Sequence, residues 1–346
     1  MNHSLLRIIT LITGLLLASN LYAKAEYTLK FATLAPAGTT WMNLLEEWAQ
    51  TVKTQSNGRL VFKFYPGGVQ GDEPDVLKKM RFNQLQGSAF SGHGIGQIYS
   101  PARVMELPFL FDTFDEIDHV RNQLMPEFEQ GFHDNGYELL GWMEIGFVHM
   151  FSKEPIHSIK EMKSHRVWLW QGDPLGKAFF DASGVSPVPL SIIDVYTSLS
   201  TGLIDTVYST PLATIAMQWH TKTRYVSDIA LTNAIGGLIV TRKFFDKLPA
   251  DLKKLLQTTG KETGEKLIAA TREDNDKSVA ELKKRGLTFI PPGDGMSKPE
   301  LLLIRDKAAA ELMRSNYIPK SLFDRTSQML QKFRSTQSSA KAIMAN

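Results

Sequence analysis

The segment from Ala250 to Arg285, ADLKKLLQTTGKETGEKLIAATREDNDKSVAELKKR, contains no proline. It is rich in Lys, Glu, Leu and Ala and carries Leu252, Leu255, Leu256, Leu267, Ala270, Val279 and Leu282 at helical intervals. At about 1.5 Å per residue it makes a helix of roughly 50 Å. One α/β lobe of a chain this size is shorter than that. The spacing therefore predicts a helix lying across two lobes, with Gly260 or Gly264 as places for a kink. A rigid element shared by two lobes suits a hinged pair that closes on a ligand.

Outward from this helix the chain alternates strands and helices. Tyr27–Thr33 reads as a strand, 41–55 as a helix behind Thr39-Thr40, 59–65 as a strand ended by Pro66-Gly67-Gly68, 73–85 as a helix and 87–91 as a third strand. This order implies parallel pairing with right-handed crossovers. The plan then repeats, with a helix over 114–135, strands over 137–143, 147–152 and 166–170, and helices over 174–182 and 192–200. Pro187 and Pro189 keep 184–190 extended.

The 346 residues carry 39 Lys and Arg against 36 Asp and Glu, with no block of like charge, which argues against a nucleic-acid partner. Cysteine is absent, so disulfides, thiol nucleophiles and cysteine metal clusters are excluded, and any metal site would have to come from the eight His and the carboxylates; no metal or cofactor is expected. Arg7, the apolar run Ile8–Leu17 and the small residues around Ala23 and Ala25 read as a cleaved export signal over residues 1–25. About ten apolar residues are too few to span a bilayer. The expected location is the periplasm.

Motifs for acyl transfer, phosphate loops and zinc hydrolysis are lacking, and Gly92-His-Gly-Ile-Gly96 has the wrong spacing for a nucleotide turn. That segment reads as a flexible loop at the carboxyl end of a strand, where open α/β sheets hold ligands, which makes His93 a ligand-binding candidate. Neither His93 nor His149 has an acid at a catalytic spacing. Arg166, Trp168 and Trp170 alternate on the predicted strand and so share a face. The guanidinium then needs an anionic partner, either a ligand carboxylate shielded by the indoles or a protein carboxylate at the lobe surface.

The chain resembles the solute receptors of tripartite ATP-independent periplasmic (TRAP) transporters over nearly all of its length after the signal. The matching landmarks, in order, are Phe31-Ala-Thr-Leu-Ala-Pro36, Asn57-Gly58-Arg59, Tyr65-Pro-Gly-Gly68 with Gly71-Asp72, Glu106-Leu-Pro-Phe-Leu-Phe111, Gly141-Trp-Met-Glu-Ile-Gly-Phe147, Ile159 to Val167, Gly184-Val-Ser-Pro-Val-Pro189, Asp194 to Leu199 and Thr201-Gly-Leu-Ile-Asp205. The resemblance implies a bilobal α/β periplasmic binding fold, type II-like, with a long lobe-spanning helix and a ligand in the cleft. The lobes are expected as 26–147 plus about 236–275 and 148–235 plus about 276–310, with 311–346 a helical segment packed on them. The resemblance also implies that Arg166 forms a bidentate bridge to an organic-acid carboxylate. Trp142, Trp168, Trp170, Tyr208, Ser209 and Thr210 are expected around the ligand with His93.

Two departures bear on the ligand. Residues 205–211 read Asp-Thr-Val-Tyr-Ser-Thr-Pro where most members carry a Gly, an acid and an amide before Pro. Val148 stands where many acid-binding members have a second Arg. One cation fewer implies a ligand with one acidic group and a substantial apolar body. Residues 205–208 and Gln218 to Lys222 resemble a subgroup encoded with a tetratricopeptide-repeat lipoprotein, a partner left open beside the expected membrane permease. The alternative to a receptor is an exported enzyme or sensor domain on the same scaffold.

Overall fold

The computed structural model describes residues 25–293 and 296–344, with side chains described through Ser338. All of the expected export signal except Ala25 lies outside the described residues. The strands are β1 (Tyr27–Thr33), β2 (Leu60–Tyr65), β3 (Gly87–Ser91), β4 (Tyr137–Ser152), β5 (Trp168–Trp170), β6 (Val188–Leu190), β7 (Thr206–Ser209), β8 (Tyr225–Ser227), β9 (Thr232–Thr241) and β10 (Thr288–Ile290). As the alternation predicts, β1 pairs in parallel with both β2 and β3, with helices Thr40–Gln55 and Glu73–Arg81 as the crossovers. The complete sheet runs β10-β8-β4-β9-β3-β1-β2, β7 also pairs with β4, and β5-β6 form a separate parallel pair.

Two antiparallel strands join the halves of the sheet. β4 pairs with β9 from Tyr137 to Val148, and its end turns to β7 and β8. The sequence predicts two strands here, 137–143 and 147–152, whereas the structure has one. It is bent rather than broken, because the register skips between Glu144 and Gly146, and Gly146 takes φ of 109°, which a side chain disfavours. Buried Glu144 holds the bend by accepting from Arg121 at 3.0 Å and Arg272 at 2.9 Å. That ties the helix Phe114–Asp134, β4 and the long helix together.

The long helix spans Ala250–Lys284. Leu252, Leu256 and Leu267 enter the core shared with β1 and helix Thr40–Gln55, while Leu282 packs among Phe151, Val195 and Leu199 of the other half. Trp48 Nε1 donates to Thr259 Oγ1 at 2.9 Å and Trp41 Nε1 to Thr271 Oγ1 at 2.8 Å, which fixes the helix in rotation. Gly260 and Gly264 serve close approach within one uninterrupted helix. A Cβ at 260 would lie 2.8 Å from Leu140 Cβ, and one at 264 would lie 2.5 Å from the Trp142 carbonyl oxygen.

Other expectations need correction. Gly92–Ile98 is a short buried helix, not a flexible loop; Cβ atoms at 92, 94 and 96 would strike Glu106, Phe90 and Tyr317. The strand expected over 166–170 begins at Trp168, because Arg166 and Val167 are engaged with Asp205 and Thr206. The boundary expected at residue 311 falls inside the helix Lys298–Arg314. That helix buries Leu301 beside Phe179 and Phe180, and the last helix, Lys320–Met344, sends Leu322 and Leu330 into the core below Phe128.

Candidate functional site

A cavity of about 200 Å³ lies between the two halves of the sheet, behind the β4 bend. From one half, Trp41, Leu45, Phe90, His93, Arg103 and Glu106 reach it. From the other come Trp168, Trp170, Asp173, Phe179, Tyr208 and Trp219. Period-two geometry puts Trp168 and Trp170 on one face of β5. Trp168 stacks on Tyr208 with centroids 4.8 Å apart and meets Trp219 edge-on at 5.4 Å. These aromatics form a largely apolar wall.

The charged groups concentrate around Arg103, on the 3₁₀ turn Ser100–Glu106. Its Nη1 and Nη2 donate to the two oxygens of Asp173 at 3.0 and 3.2 Å, a fork-to-carboxylate pair across the cavity. Its Nε faces Glu106, which also accepts from the Ile235 amide at 2.8 Å, and Tyr317 OH stands behind Nη1 at 3.4 Å. Burial pushes the Asp173 carboxyl up, but Arg103 outweighs it and leaves the group below its ordinary value. Glu106, in contrast, stays raised, because its burial outweighs the help from Arg103. Glu73 is buried and accepts from the amides of Ser91 and Gly94 and from the Ser91 hydroxyl, yet burial still pushes it up to about 7. His93 is lowered by burial, and its Nδ1 makes no hydrogen bond within the protein.

A second set of bonds closes the rim. Asp72 caps helix Glu73–Arg81 by accepting from the Glu73 amide at 2.7 Å. The same carboxylate accepts from Trp170 Nε1 at 3.1 Å, Ser191 Oγ at 2.5 Å and the Ile192 amide at 3.1 Å, all on the other half. Trp170 in turn lies against His93, with ring centroids 4.8 Å apart.

Of the residues singled out in the sequence, His93, Trp168, Trp170, Tyr208, Ser209 and Thr210 line this cavity, and Val148 lies in its wall. Arg166 does not. Its side chain is 58% exposed and bridges Asp205 at 3.1 Å, the surface pairing that stood as the alternative to a ligand bridge. Trp142 stacks on Phe128 in the core, 5.5 Å between centroids, outside the cavity lining. The sequence does not single out Arg103, Glu106 or Asp173 as site residues. Their one local signal is an Arg and a Glu three apart inside the apolar run Ala102–Phe111, where solvated charges do not belong. Asp173, 70 residues downstream, has no sequence link to them beyond its capping position before Pro174.

A bilobal-type α/β sheet around a partly open, aromatic-walled cavity suits a solute-binding protein. Residues 31–299 match the bacterial extracellular solute-binding protein family 7, and the chain belongs to that family. It is similar to the sialic acid-binding periplasmic protein SiaP of Vibrio cholerae, 24% identical over 78% of this chain and 84% of the relative. It is also similar to the ectoine/5-hydroxyectoine-binding periplasmic protein UehA of Ruegeria pomeroyi, 23% identical over 75% and 80%. Among solved structures, a TRAP periplasmic solute-binding protein from Roseobacter denitrificans with bound β-D-glucuronate superposes with a TM-score of 0.81 at 16% identity, covering 87% of this chain and 99% of that one. One from Desulfovibrio salexigens with bound orotic acid gives 0.81 at 19%, covering 88% and 99%. The family is one of solute-binding receptors.

Proposed function

We propose that this protein is the extracytoplasmic receptor of a TRAP transporter, exported through its N-terminal signal, and that it encloses one organic acid with a single carboxylate and a substantial apolar body. The two halves of the sheet act as lobes that open and close about β4 and β9, and the loaded receptor delivers its ligand to a membrane permease. A tetratricopeptide-repeat lipoprotein is the further partner supported by the resemblance of residues 205–208 and 218–222. The observation that carries the ligand class is the lining: four tryptophans and several phenylalanines, with Arg103 the one Lys or Arg among the described lining residues. A second ligand carboxylate would be desolvated without a cation, whereas each buried methylene favours binding by about 0.8 kcal/mol. The organic acids bound by the structural neighbours support the acid group.

A thermal-shift panel of monocarboxylates with aliphatic or aromatic bodies against small dicarboxylates such as succinate, confirmed by calorimetry, tests this. The apolar monocarboxylates should stabilise the protein and bind more tightly. Micromolar binding of succinate with none of the apolar acids would contradict it.

A further inference from the structure

Arg103 is the only Lys or Arg among the described residues that line the cavity, and its fork is filled by a protein carboxylate from the opposite half. We propose that Arg103 receives the ligand carboxylate and that Asp173 is its internal stand-in, seated on the guanidinium when the cavity is empty and displaced when an acid binds. This rests on the proposed acid ligand and adds the residue that reads the acid.

Three observations support it. The Arg103–Asp173 contact has the two-bond geometry by which a guanidinium binds any carboxylate, at 3.0 and 3.2 Å. Asp173 has a local role apart from Arg103, since its Oδ1 also caps its own helix by accepting from the Leu175 amide at 3.1 Å. Finally, Arg103 keeps a second partner in Glu106, so the guanidinium stays anchored and aimed while Asp173 and the ligand compete for its outer face. The groups around the fork are Asp173 and Glu106 as acids, His93, and the hydroxyls of Tyr208 and Tyr317. Acids outnumber the one cation, so an entering anion is opposed by the acid it must replace.

The test uses Asp173→Asn, which retains a capping side chain and removes the competing charge. Octanoate and octanamide, alike in body and different in charge, are titrated calorimetrically into both proteins. The variant should bind octanoate at least tenfold more tightly than the wild type does and bind octanamide with unchanged affinity. Arg103→Met in the Asp173→Asn background, where one fewer buried charge is left unpaired, should abolish the preference for octanoate over octanamide. An unchanged octanoate affinity in Asp173→Asn, or an equal change for both probes, would overturn the assignment. If neither probe binds either protein, the apolar-body reading fails instead, and acetate against acetamide with the same variants decides on Arg103 by the same ratio.

Discussion

Arg103 faces the cavity, whereas Arg166 lies at the surface. Arg166 shares a two-residue period with the indoles, but the strand begins two residues later, and Asp205 takes the guanidinium at the surface. Arg166→Ala should therefore change stability by no more than about 1 kcal/mol and leave ligand affinity within twofold, checked by chemical denaturation and calorimetry. Trp168 and Trp170 were legible because alternation within one strand is local information, whereas Tyr208 rested on the family resemblance alone. The Arg103 cluster was not, because its partners meet only when segments 70 residues apart are folded together. Glu73 yields a pH prediction of definite sign. Its folded-state value of about 7 exceeds the ordinary 4.5, so the folded protein holds the extra proton and loses stability as pH rises between these values. The loss is of order 3 kcal/mol at about 1.4 kcal/mol per pH unit. Glu73→Gln, which cannot ionise, should gain stability relative to wild type by that order from pH 4.5 to 7 in urea titrations. A constant difference across the range would contradict the buried carboxyl.

At the scale of elements, the long helix was legible in full, from a proline-free run with apolar residues at helical spacing, and its ends fall within a residue of expectation. What periodicity did not reveal is why it holds two glycines. Each admits the β4 backbone, so Gly264→Ala should lower stability by about 2–3 kcal/mol, although alanine is favoured by roughly 1 kcal/mol in a free helix. A stabilised variant in thermal unfolding would show that the close approach relaxes at no cost. The sequence reads β4 as two strands for a related reason. Its bulge at Glu144–Gly146 is specified by Asn275 and Arg272, both on the distant long helix, and by the φ of Gly146, none of which leaves a local period.

For the whole molecule, two buried electrostatic contacts hold the halves together over the cavity, Asp72 at the rim and Arg103–Asp173 inside. The rim contact predicts a change of shape. Asp72→Ala should leave Trp170, Ser191 and Ile192 without their acceptor, enlarge the radius of gyration of the empty protein in small-angle scattering, and weaken ligand binding by about tenfold, since one of the two contacts that favour closure is then lost. Asp72→Asn, which can still cap helix Glu73–Arg81, separates closure from helix stability. The central claim, that this cavity encloses a single monocarboxylate with an apolar body, is tested most directly by native mass spectrometry of the protein as purified, followed by identification of the small molecule released on denaturation. The account predicts one molecule per chain, with one carboxyl group and an aliphatic or aromatic body. Recovery of a small dicarboxylate or a sugar acid, bound one to one, would contradict it.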